Sequence, residues 1–216
     1  LFCLVTAVAA FTCFSAGPAD KIVCPGEYGG HLQGVATDGE KIYWSFTTEI
    51  VSTDIGGKLL AVQKAPYHQG DLCVKDGIVY VAVNLGHFNY RKGAVSQVTA
   101  YDAETLKPLK TWKLDDMPHG AGGITWRGDR FFVVGGVPKT IECNYVYEYT
   151  KDFELVKRHD IETGFTLMGI QTAAYEDARF FFGIYGESGN RHGVLKVKDD
   201  LRTYSRFTGP GSVGIL

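Results

Sequence analysis

Apolar residues in this chain gather in short runs separated by polar turns, and no run sustains the 3.6-residue spacing of an amphipathic helix. The segment from His31 to Leu60, HLQGVATDGEKIYWSFTTEIVSTDIGGKLL, holds one complete unit. It reads as a short apolar strand, an Asp-Gly turn, an aromatic strand, a Thr-rich strand, a Gly-Gly turn and an aliphatic strand. The unit recurs imperfectly. Aligning Gly34, Asp71, Gly123, Gly169 and Gly214 gives spacings of 37, 52, 46 and 45 residues. Nine residues after each of the first three anchors stands an aromatic: Tyr43, Tyr80 and Phe132. The fourth copy reaches its aromatic strand, RFFFGIY at 179–185, slightly later.

The first turn of each copy is short and polar (TDG at 37–39, KDG at 75–77, RGD at 127–129, YED at 175–177), as tight hairpins require. Four short antiparallel strands repeated at this period are the sequence form of propeller blades. The expected fold is therefore all-β: a β-propeller of four-stranded antiparallel blades at 31–66, 68–118, 119–164 and 165–209. The tail GPGSVGIL matches the lead-in to an inner strand, so residues 211–216 are expected to start a fifth blade and the chain to be truncated. DKIVC (20–24) is a candidate outer strand closing the ring. Strand parity puts the short turns on one face. On the other lie the long loops 85–96, 137–143 and 186–192, and long loops on a rigid scaffold are where binding concentrates.

Composition agrees with a packed, turn-rich domain: 45% apolar, 13% aromatic and 27 glycines in 216 residues. The formal charge of −2 with no basic stripe argues against nucleic acid as a partner. Residues 1–19, LFCLVTAVAAFTCFSAGPA, carry no charge and pair an apolar core with small residues, the form of a secretory signal peptide. That apolar core ends near Phe14, short of the ~20 residues a membrane span needs. The mature part, 20–216, is expected to be a monomeric, secreted or periplasmic propeller with no membrane span. Cys24, Cys73 and Cys143 remain after cleavage, at unrelated spacing, and read as buried thiols within strands, with one disulfide as the alternative.

Candidate chemistry gathers before the anchors, where inner strands crowd the axis on the long-loop face. His31, His68 and His119 stand there, with Gln33, Gln69, Asp71 and Gln171 beside them. Three readings follow. Imidazoles and amides supply hydrogen bonds to a small polar ligand, or His31, His68 and His119 hold one divalent metal ion in the channel, or the group hydrates a narrow channel. GxSxG, GxGxxG and the phosphate-binding P-loop are absent, so a serine elbow and a nucleotide loop are not expected.

The segment QGVATDGEKIYWS (33–45) resembles the opening blade of the propeller-type glutaminyl-peptide cyclotransferases, which are secreted five-bladed propellers. The family's catalytic glutamate falls where YHQG places Gln69, and a glutamine cannot transfer a proton as general acid or base. The strands HLQG, HGAGG and MGIQTA are similar to those of uncharacterised secreted bacterial propellers. Blade style is similar to gluconolactonase-like and streptogramin-lyase-like propellers, which bind a divalent cation in the channel. These resemblances imply the propeller fold and secretion. The expected function is binding of a small polar molecule, a carbohydrate or peptide, at the upper channel mouth. The alternatives are a metal-dependent hydrolase or lyase using the histidines, and a protein–protein interaction scaffold.

Overall fold

The computed structural model describes residues 21–90, 92–185, 192–209 and 211–215. They form four antiparallel four-stranded sheets arranged as the blades of a propeller. Blade 1 comprises β1 (Leu32–Thr37), β2 (Lys41–Phe46), β3 (Glu49–Asp54) and β4 (Leu59–Lys64). Blade 2 comprises β5 (Gln69–Lys75), β6 (Ile78–Asn84), β7 (Ser96–Asp102) and β8 (Pro108–Lys113). Blade 3 comprises β9 (Ala121–Arg127), β10 (Arg130–Gly135), β11 (Asn144–Tyr149) and β12 (Leu155–Ile161). Blade 4 comprises β13 (Ile170–Glu176), β14 (Arg179–Ile184), β15 (Gly193–Lys198) and β16 (Tyr204–Thr208).

Each blade steps outward in chain order, so burial falls from the inner strands to the edge. β5 opens on five buried residues, whereas all five residues of β16 are exposed. The core lies between blades rather than at the axis. Tyr43, Ile50, Leu72, Val81 and Tyr101 fill the layer between blades 1 and 2. Ala82, Val98, Ile124, Phe131 and Tyr149 fill the layer between blades 2 and 3. Phe132, Val134, Ile170, Phe180 and Phe182 fill the layer between blades 3 and 4. Of the aromatics of the second strands, Tyr43, Phe132 and Phe180 are fully buried in these layers, and Tyr80 of blade 2 is half-buried against the layer between blades 2 and 3.

Residues 211–215, the described part of the segment expected to start a fifth blade, form no strand. The segment nevertheless lies where an inner strand would. The Thr172 hydroxyl donates to Gly211 O, and Gly214 abuts Val35 of β1. With two glycines in five residues, it lies in the seam between blades 4 and 1 without a ladder. Ile22 and Val23 pass beside Gly57 in the β3–β4 turn and form no strand, so the outer strand expected at 20–24 is not seen either in its described part. The cysteine reading is corrected in part. Cys24, Cys73 and Cys143 are all free, and only Cys73 is a buried thiol inside a strand, while the other two are half-buried in irregular chain. The expected signal peptide and most of the loop 186–192 lie outside the described residues.

Candidate functional site at the upper channel mouth

Inner strands β1 and β5 run side by side, and this brings the first two anchors' histidines together. The side-chain amide of Gln33 lies between them, its Nε2 3.0 Å from Nε2 of His31 and 3.0 Å from Nε2 of His68. A primary amide has two protons, so Gln33 donates to both rings. Each imidazole is then neutral, with its own proton on Nδ1. Thr47, just after β2, adds a longer contact of 3.4 Å to Gln33 Nε2 and accepts the His31 backbone N–H. The carbonyl of Thr47 also receives the Gln69 amide at 3.0 Å, which locks blade 1 to blade 2 beneath the pair. Burial lowers the pKa of His68 from 6.5, and the neighbouring His31 lowers it further.

The pair opens into a cavity of about 720 Å³ whose wall also includes Tyr67, Asn84, His87, Gln171 and Tyr185. Among the described residues, no Asp, Glu, Lys or Arg lines this cavity. Gln171 is held at its rim by donating to Met168 O at 2.6 Å. Gln69 turns away: it is fully buried, and its amide is spent on Pro66 O. Asp71 is not at the mouth but at the waist below it. Its carboxylate crosses the axis to accept the Ala173 amide of blade 4 at 2.8 Å, and its other oxygen presses on Gly34 of blade 1. Burial pushes this carboxyl well above 3.8, against the lowering effect of the Ala173, Leu72 and Val35 amides. Below the waist a second opening of about 440 Å³ is walled by Val35, Leu72, Thr125 and Ala173. Asp71 thus closes the channel between its two mouths.

His119 does not join His31 and His68. It lies 8% exposed over blade 3, its ring nearly parallel to Tyr145 at 6.3 Å, and faces a separate cavity of about 1010 Å³. The physical reason is the β6–β7 loop. Its Asn89 amide donates to His119 O at 2.8 Å, and this sets Phe88 against Gly120 and Gly122, between the two cavities. Among the described residues no three His, Cys, Asp or Glu side chains converge as a cation site. His87 reaches the mouth cavity as a loop residue, and His192 instead pairs with Ser212 at 3.0 Å beside the seam. Phe88, Tyr90, Tyr145 and Arg158 were not singled out by sequence reasoning. Only the length of the loops 85–96 and 137–143 hinted at them.

No protein-family model matches the chain, and no curated protein matches it. Among solved structures, it is similar to a xylan β-1,4-xylosidase from Bacillus halodurans C-125, with a TM-score of 0.60 and 12% identity over 84% of this chain and 42% of that one. It is also similar to a protein of unknown function from Bacteroides caccae, with a TM-score of 0.50 and 12% identity over 86% and 84% of the two chains. The likeness is one of fold. Function has to be argued from the site.

Proposed function

We propose that the chain is a binding propeller, secreted or periplasmic, that takes a small polar ligand, a carbohydrate or peptide, at the upper mouth of its channel. The observation that carries this reading is the His31–Gln33–His68 bridge on the wall of a concave cavity. Two neutral imidazoles and two amides (Gln33, Gln171) offer hydrogen-bond donors and acceptors there, and Tyr67 and Tyr185 offer ring faces. The strands beneath are tied blade to blade through Thr47 and across the axis through Asp71, so the polar groups are held in place before a ligand arrives.

The metal-dependent hydrolase or lyase asks three histidines to face one ion, and His119 faces another cavity, so the binding reading is preferred. The test is a thermal-shift screen with neutral monosaccharides and blocked dipeptides, followed by calorimetry on each hit. The expected hit loses about tenfold or more in affinity in Gln33→Leu, and little in Glu176→Gln at the opposite mouth. Equal loss in both variants, or none in Gln33→Leu, rejects the upper mouth as the site. A screen without hits favours the interaction scaffold.

A further inference from the structure

A cavity larger than the channel mouth lies over blade 3, walled by Tyr90, His119, Lys139, Tyr145, Arg158 and Leu167 among others. Its character differs from that of the mouth. Tyr145 lies flat between His119 and Arg158: its ring is inclined 19° to the imidazole, and the guanidinium stands 4.3 Å from its centroid. Arg158 is in turn clamped by both oxygens of Asp160, at 2.7 and 2.9 Å, so its charge is compensated while its plane still stiffens the Tyr145 ring. Tyr90 stands at the rim, 67% exposed. The result is a wall of braced rings, with the Lys139 ammonium also on it.

This cavity and the channel mouth share two wall residues, Phe88 and Met168. Phe88 leans on Gly120 and Gly122 at the start of β9, and Met168 comes from the chain entering β13, so together they form a lip between two adjoining hollows. The β6–β7 loop that carries Phe88 is braced within itself. Asn84 donates to Gly86 O at 2.8 Å and accepts the Val95 amide at 2.9 Å, and the His87 amide donates to Gly93 O at 2.8 Å. The lip is therefore a built part of the surface.

From this juxtaposition we infer that the two hollows are successive subsites of one cleft, and that its ligand is a neutral oligosaccharide of two or more units. The inference rests on the channel-mouth reading and extends it. Three observations select the ligand class. The mouth offers amides and imidazoles suited to hydroxyl groups. The blade 3 cavity offers at its rim the exposed Tyr90 ring, suited to the apolar face of a pyranose. The mouth has no charged side chain among its described residues to balance a charged end of a peptide. Placed in the mouth, a peptide's charged terminus or side chain loses its hydration with no described residue of opposite charge on the wall.

The test is isothermal titration calorimetry of two ladders, xylose to xylotetraose and glucose to cellotetraose, with uncharged blocked dipeptides and free dipeptides alongside. The same titrations are run on Tyr90→Ala and Gln33→Leu. For at least one ladder, affinity is expected to rise about tenfold or more between the monosaccharide and the trisaccharide. Tyr90→Ala removes an exposed ring and leaves the fold intact. It should abolish that rise while leaving monosaccharide affinity unchanged, whereas Gln33→Leu should weaken every member. A ladder that is flat with length, or a rise that survives Tyr90→Ala, overturns the second subsite and leaves the channel-mouth reading standing. Dipeptide binding without sugar binding overturns the ligand class alone. Binding of neither overturns both.

Discussion

Gln33 is 9% exposed and donates both amide protons to imidazole nitrogens, so His31 and His68 must each keep Nε2 unprotonated. A proton added to Nε2 of His68 would turn the acceptor into a second donor facing the Gln33 amide, and burial already disfavours the cation. The sign of the pH dependence follows. The folded pKa lies below 6.5, so the unfolded chain binds the proton first and stability is lost as pH falls. The contribution is complete above 6.5 and declines from there down to the folded pKa. His68→Gln keeps a polar side chain without a titrating proton, so the stability difference between the parent and this variant should shrink as pH falls from 7.5 toward 5. Urea midpoints at several pH values measure it, and a difference that stays constant with pH would falsify the neutral bridge.

Strands impose their own demands, and these separate two kinds of glycine. Gly77 sits in the β5–β6 turn with φ +74 beside Asp76 at φ 51, a hairpin of two left-handed residues. A side chain there meets nothing within 4 Å, so Gly77→Ala carries only the backbone strain of about 1–2 kcal/mol. Gly70 is different. A Cβ on it would overlap Gly122 O of the next blade and stand 2.9 Å from Ala82 O, both of them backbone. Gly70→Ala has to push β5 from β9, and should cost about 3 kcal/mol or more and broaden the unfolding transition. Thermal melts of the two variants rank them, and equal losses would mean that the blades are not packed as closely as described. The same contrast marks what could be seen in the sequence. Alternation and the Asp-Gly turns are local, so all four sheets, the packing of second-strand aromatics such as Tyr43 and Phe132 and the His31–His68 neighbourhood were legible there. The meeting of Phe88, Tyr90, Tyr145 and Arg158 depends on how far a loop of blade 2 leans over blade 3, and spacing along the chain does not encode that. His119 was assigned to the wrong neighbours for the same reason: its place before an anchor is local, and the loop that screens it is not.

At the scale of the whole ring, Asp71 is the side chain that joins opposite sides. It springs from blade 2, accepts the Ala173 amide of blade 4 and rests on Gly34 of blade 1, so three blades meet at one carboxyl. That carboxyl is 1% exposed, and burial raises its pKa well above 3.8. A raised folded pKa means that the folded state holds the proton more tightly. The contribution of Asp71 is therefore largest below 3.8 and falls as pH rises toward the folded pKa, the reverse of His68. Asp71→Ala leaves the buried Ala173 amide unsatisfied and opens the waist, at a cost of about 1–3 kcal/mol. The penalty should be greater at pH 4.5 than at pH 8, because the unfolded chain gives up the Asp71 proton as pH rises above 3.8 while burial opposes its loss in the folded state. It should also join the upper and lower openings, so that Gln33→Leu and Asp71→Ala act on ligand affinity through different routes: the first removes a contact, the second loosens the frame that holds it. Denaturant titrations of the parent and Asp71→Ala at the two pH values decide the matter. A larger penalty at pH 8 would show that the carboxylate is stabilised by its three amides more than burial penalises it, and Asp71 would then be an anionic clamp at the centre of the ring.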